Sequence, residues 1–160
     1  MHNNEILRRL TASLSIDEAR SVALFALGGI EVDGAGAQAW TGDPKAAGAA
    51  ILGDAELAAF LDGLIAEQRG PRDPDAPVLA VPEGWRLTNN EILKKLRIAL
   101  QLQEDGVLRV LAAGGLAMGN RELTTLFRKP GNKHYRKAVD DVLLAFLNGL
   151  RSVELAPPTA

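Results

Sequence analysis

The phrase Asn-Asn-Glu-Ile-Leu stands at residues 3–7 and again at 89–93, and it is the visible end of a longer repetition. Displacing the chain by 86 residues against itself pairs 3–64 with 89–150 without a gap, giving 19 identities in 62 positions. The identities fall on apolar residues (Leu10/Leu96, Leu57/Leu143, Phe60/Phe146), on glycines (Gly28-Gly29/Gly114-Gly115, Gly63/Gly149) and on polar residues at helix starts. Those are the positions that two copies of one folding unit must share. The chain is therefore restricted to folds that can be built twice.

Each copy reads as a few short helices. In the second, Thr88-Asn89-Asn90-Glu91 has the form of a capping box, and Ile92, Leu93, Leu96 and Leu100 follow as one apolar stripe. The first copy repeats the stripe with Ile6, Leu7, Leu10 and Leu14, but His2 stands where Thr88 stands, so Asn3 is the expected cap. A second helix is expected over 16–27 behind a Ser15-x-x-Glu18 box, ending at Gly28-Gly29, with its twin ending at Gly114-Gly115. A third is expected over 120–128, before Pro130, and a last over 140–147, closed by Asn148-Gly149. Leu57, Phe60, Leu61 and Leu64, like Leu143, Phe146, Leu147 and Leu150, keep the spacing of a buried helical face. No alternating apolar run argues for a sheet, so the fold class is all-α: a tandem duplication of a small multi-helix domain at an offset of 86 residues.

The resulting map is a helical repeat over 1–69, a linker over 70–85 with four prolines, a second repeat over 86–153, and a tail over 154–160. Within the linker, Val78, Leu79, Val81 and Trp85 are expected to lie partly against a domain surface. There is no cysteine, which excludes disulfides, thiolate metal sites and Cys nucleophiles and fits a reducing compartment. Neither a signal-peptide pattern nor a run of 18 apolar residues occurs, so a cytoplasmic protein without membrane attachment is expected. The net charge of -2 hides an asymmetry: residues 1–85 carry 6 Lys/Arg against 13 Asp/Glu, and residues 86–153 carry 12 against 6. The first copy is acidic and the second basic.

Four stretches, NNEILKKLRIAL, the helix ending in Gly-Gly, LFRKPGNKHYRK and LLAFLNGL, resemble the YehS-like family of bacterial proteins, which carry two copies of a domain of unknown function in about this length. The resemblance spans nearly the whole chain in the right order. It implies a small, soluble, helical protein with no assigned activity, and hence no catalytic residues to carry over. The first copy departs most from its twin between Asp33 and Gly53, where AGAQAWTGDPKAAGAA replaces bulkier residues, and no helix is assigned there.

Several constellations fail on their own chemistry. Gly34-x-Gly36 has Ala39 in the place of a third glycine and no strand before it, as a dinucleotide site requires. GDPKAAG, residues 42–48, lacks the Gly-Lys-Ser/Thr ending of a phosphate-binding loop. Glu5, Asp54, Glu91 and Asp140 recur in both copies, but first helical turns and N-caps account for them without a metal, and His2 and His134 are the only histidines. No Ser, His and acid grouping marks nucleophilic or acid-base catalysis. The expectation is a protein that is not an enzyme and holds no cofactor and no metal.

One polar stretch is informative. RKPGNKHYRK, residues 128–137, sets Arg128, Lys129, Lys133, Arg136 and Lys137 around His134 and Tyr135. Cationic donors beside an aromatic ring suit phosphate contact and base stacking. Upstream, a helix over 105–113, Gly114-Gly115 and the helix from Asn120 resemble in outline a helix-turn-helix, whose second helix would present Arg121, Thr124, Thr125 and Arg128. The competing reading is a solvated basic face that pairs with the acidic first copy, inside the molecule or between molecules. Two functions stand side by side: a module contacting nucleic acid through the second repeat, and a protein-interaction or self-associating module with no such role.

Overall fold

The computed structural model describes residues 1–42, 50–69 and 85–152. Among them are eight α-helices and no strand: α1 Asn3–Ser13, α2 Glu18–Leu27, α3 Gly34–Thr41, α4 Asp54–Arg69, α5 Asn89–Ala99, α6 Glu104–Ala113, α7 Asn120–Leu126 and α8 Asp140–Leu150. Every helix of the second copy begins 86 residues after its twin, so the duplication read in the sequence is a duplication of structure. Val78, Leu79 and Val81 of the linker, and the tail over 154–160, lie outside the described residues. Trp85 is half-buried, and Leu87 packs against the core.

The repeated Asn-Asn holds each copy's loops to its first helix. Asn90 donates its amide to the carbonyls of Leu126 (2.9 Å) and Arg136 (2.8 Å), while its carbonyl accepts from the Ala138 N–H at 2.8 Å. Asn4 makes the same three bonds 86 residues earlier, to Trp40, Ala50 and Leu52. Asn3 and Asn89 in turn donate to the Asp54 and Asp140 carboxylates and to the carbonyls of Leu52 and Ala138. An amide with two donors and an acceptor is the one short side chain that meets two carbonyls and an N–H together.

Helix ends differ from expectation in several places, among them α7, which stops at Leu126 and not at 128, so that Arg128 follows the helix and is not presented by it. Asn3 does not cap α1; His2 occupies that position without a side-chain bond, because the Asn3 amide is taken up by Leu52 and Asp54. α2 starts at Glu18, not 16, and its cap is Asp17, which accepts from Arg20 N. Ser15 lies outside the helix with φ 54°, as does Gln101 at the matching place. Each follows the C-cap of the preceding helix, with 6→1 closure from Ile16 N to Thr11 O and from Leu102 N to Arg97 O. Gly34–Thr41 is a helix, capped by Asp33, where none was assigned. α8 runs through Gly149 to Leu150, so Gly149 does not close it. Asp54 and Asp140 are first helical residues, not caps. The expected endings at Gly28-Gly29 and Gly114-Gly115 hold, with Gly29 and Gly115 at φ 96° and 94°.

Within each copy two helices cross at backbone distance. A Cβ on Gly28 or Gly63 would overlap the carbonyls of Ala59 or Leu24, and one on Gly114 or Gly149 those of Ala145 or Val110. α2 therefore lies against α4, and α6 against α8, through four glycines that the duplication retained.

Between copies the partners are exchanged. α5 packs on α4 more than on its own α8, and α1 on α8 more than on its own α4. Matching contacts cross the boundary: Lys95 pairs with Asp62, and at the related place Arg9 donates to Asn148. Asp54 accepts from Leu87 N at 3.0 Å, and Asp140 from the Met1 ammonium at 2.7 Å. That ammonium, with the Asn89 amide, holds the Asp140 carboxyl below its ordinary range. The arrangement is a two-fold interface made inside one chain, where a contact from i to j is matched by one from j to i. Ile6, Leu10, Phe60, Ile92, Leu96 and Phe146 accordingly belong to one hydrophobic cluster drawn from both copies.

Candidate functional site

After α7 the chain must return to the start of α8, and the Asn90 clamp fixes both ends of that return. Between the fixed ends, Asn132 N bonds to Lys129 O and Tyr135 N to Asn132 O, with Gly131 at φ 96° between them, so the segment folds into successive tight turns. The Asn132 side chain also accepts from His134 N at 2.9 Å, and Arg136 N reaches back to Thr125 O. A loop so rich in like charge is thus given a defined shape by its backbone.

The turns set the basic side chains outward. Arg128, Lys129, Lys133, His134, Arg136 and Lys137 are all exposed, and Tyr135 is half-buried. Not all of this charge is free. Arg136 lies 3.8 Å from Glu122, and Lys137 acts on Asp140. Among the described residues, Arg128, Lys129 and Lys133 have no carboxylate within ion-pair distance.

Beside the loop is a cleft of about 360 Å³ between the end of α4, the outer face of α5 and residues 126–135. Ile65, Ile98 and Leu126 supply apolar surface, Phe127 and Tyr135 aromatic surface, and Lys94, Lys95, Arg128 and Lys129 the cations. Lys95 is engaged by Asp62. Among the described residues, Glu91 is the single carboxylate that lines it. Phe127 is held by the Arg97 guanidinium, 5.0 Å from its ring centre, a favourable cation–π distance.

Of the residues singled out from sequence, Arg128, Lys129 and Tyr135 meet at this cleft, while Lys133, His134, Arg136 and Lys137 lie along the remainder of the loop. Arg121 is exposed on α7 and does not line the cleft. The Thr124 and Thr125 hydroxyls bond to carbonyls of their own helix, Asn120 and Glu122. Lys94 and Phe127 were missed. Lys94-Lys95 repeats Arg8-Arg9 of the first copy, and that recurrence is the available signal.

Three of the four recurring carboxylates have structural partners: Glu5 pairs with Arg9, and Asp54 and Asp140 receive the cross-copy N–H groups. Among the described residues no helix is long and apolar enough to cross a membrane.

A family described as a protein of unknown function (DUF1456) matches residues 3–70 and, a second time, 89–153. The uncharacterized protein YehS of Escherichia coli (strain K12) is 37% identical over 150 residues, which cover 94% of each chain. No solved structure matches.

Proposed function

This chain belongs to the DUF1456 family, and from that premise we propose that it is a non-enzymatic, cytoplasmic tandem-helical module that contacts nucleic acid through the basic loop of its second copy. The observation that carries the reading is the difference between two copies of one scaffold. Arg128, Lys129, Lys133 and Tyr135 align with Gly42, Asp43, Ala47 and Ala49, so the first copy builds the same four helices without that charge or that ring. Exposed cations that folding does not require, set beside aromatic surface, match what a phosphate backbone and its bases offer.

Labelled oligonucleotides titrated with the full chain at several salt concentrations test this. Replacing Arg128, Lys129 and Lys133 together by Ala is expected to flatten log affinity against log salt by up to about two units on single strands and three on duplex. The variant keeps the wild-type melting curve, because the three side chains are exposed. Affinity weaker than about 100 μM for every oligonucleotide would remove the reading.

A second reading, a protein-interaction module, has its own observation. Ile51 is 93% exposed and shares a shallow depression with Met1 of the first copy and Trp85 at the end of the linker. A lone exposed isoleucine is ordinary, but one beside a half-buried tryptophan is a place where a partner side chain can bury both. Concentration-dependent sedimentation that Ile51→Ser abolishes, together with no oligonucleotide binding, would favour this alternative.

A further inference from the structure

We infer that the cleft beside the basic loop receives one unstacked base of a single-stranded nucleic acid, while the adjoining phosphates lie on Lys94, Arg128 and Lys129. The inference rests on the preceding reading and narrows it to a strand type and a pocket.

The chemistry of the lining separates base from phosphate. At about 360 Å³ the cleft falls in the range of small-ligand pockets. Its surface is mainly apolar or aromatic, which a base face complements and a phosphate does not. The cations that line it are Lys94, exposed on α5, the half-buried Lys95 that Asp62 engages, and the exposed Arg128 and Lys129 just after α7. Glu91 also lines it, and a carboxylate there repels phosphate but accepts a hydrogen bond from an N–H of a base edge. In a duplex the base faces are covered by their neighbours and reach a concave pocket only by leaving the stack. A single strand has no pairing to lose.

The twin site offers an internal contrast. At the positions of Phe127, Arg128 and Tyr135 the first copy has Thr41, Gly42 and Ala49, so the aromatic pair and the loop cation are missing there, although Arg8 stands at the place of Lys94 and Trp40 at that of Leu126. One site per chain is expected.

The test uses the full chain, with anisotropy titrations at one fixed salt concentration. The probes are a fluorescein-labelled single-stranded oligonucleotide, an equally long strand of abasic sites with the same backbone charge, and the matching duplex. Base stacking in the cleft is expected to make the base-bearing strand bind about 5- to 150-fold tighter than the abasic one, and tighter than the duplex. Tyr135→Ala collapses the ratio toward one and leaves the salt slope unchanged, and Tyr135→Phe, which keeps the ring, preserves the ratio. Equal affinity of wild type for base-bearing and abasic strands, with a steep salt slope, overturns the inference and leaves the polyanion reading standing. Duplex binding as tight as single-strand binding overturns it also. Failure of every strand to bind overturns both readings. The comparison of strands on wild-type protein holds whether or not the Tyr135 variants fold.

Discussion

At the scale of single residues, the informative side chains are amides. Asn90 is 6% exposed and meets three backbone groups. Removing it leaves two carbonyls and an N–H without partners, and each such group costs about 1–3 kcal/mol when water cannot replace the bond. Asn90→Ala is therefore expected to destabilise the protein by at least about 2 kcal/mol, read as a lower urea midpoint at unchanged slope. Asn90→Asp does not rescue it, since a carboxylate has no donor for the Leu126 and Arg136 carbonyls. Asn4→Ala, at the more accessible twin, costs less because water reaches the freed groups. Equal losses at the two positions would contradict the difference in burial. The Asn-Asn phrase was legible in the sequence as a repeated helix start, but its purpose was not. The partners are backbone groups 36 to 48 residues away, and backbone groups have no letter in a sequence.

At the scale of helices, the offset of 86 residues carried the reading far: once one copy was parsed, the other had to follow, and even α3 was implied by α7. Composition obscured it, because GAGAQAWT has two glycines where α7 has none, and helix propensity there is overridden by the Asp33 cap and by burial of Ala37. The same weighting misled the reading of Gly149. Glycine in a helical pattern is ordinarily a stop, but here it admits the backbone of α6, and contact of that kind has no local signature. Propensity and packing predict opposite signs for Gly149→Ala. Alanine favours the helix by about 1 kcal/mol, while its Cβ must displace the Val110 carbonyl, rigid backbone that only a shift of α6 can move. Overpacking of this type costs about 1–3 kcal/mol, so net destabilisation with a lowered melting temperature is expected. Gly106→Ala is the control: inside α6 its Cβ meets only the Leu102 side chain at 3.3 Å, a mobile methyl, and the first copy has Arg20 at that place. That variant gains stability or stays level. A stabilised Gly149→Ala would mean that the helices are not in backbone contact.

At the scale of the whole molecule, an alignment of the chain with itself reveals what is repeated but not how the repeats are partnered. Two copies joined by a proline-containing segment are compatible with two separate cores or with one. The apolar faces decide in favour of one: Ile6, Leu7 and Leu10 on α1, and Ile92 and Leu96 on α5, are essentially inaccessible, and each helix packs on the last helix of the other copy more than on the last helix of its own. The crossing ion pair Lys95–Asp62 and its counterpart Arg9–Asn148 sit at the rim of these contacts and set their register more than their strength. Severing the connection between α4 and α5 therefore leaves the contacts among the described helices in place. A protease site introduced between residues 70 and 84, cut in the folded protein, is expected to leave both halves in one species by size-exclusion chromatography at micromolar concentration. Each half produced alone would expose the face of its first helix and the partner surface on its last, and is expected to melt without a cooperative transition. Mixing the two should restore the transition, and with it the cleft, whose wall combines Ile65 of the first copy with α5 and the loop of the second. Two halves that separate after cleavage and each melt cooperatively would show that the copies carry independent cores, and the cleft would then lose its first-copy wall.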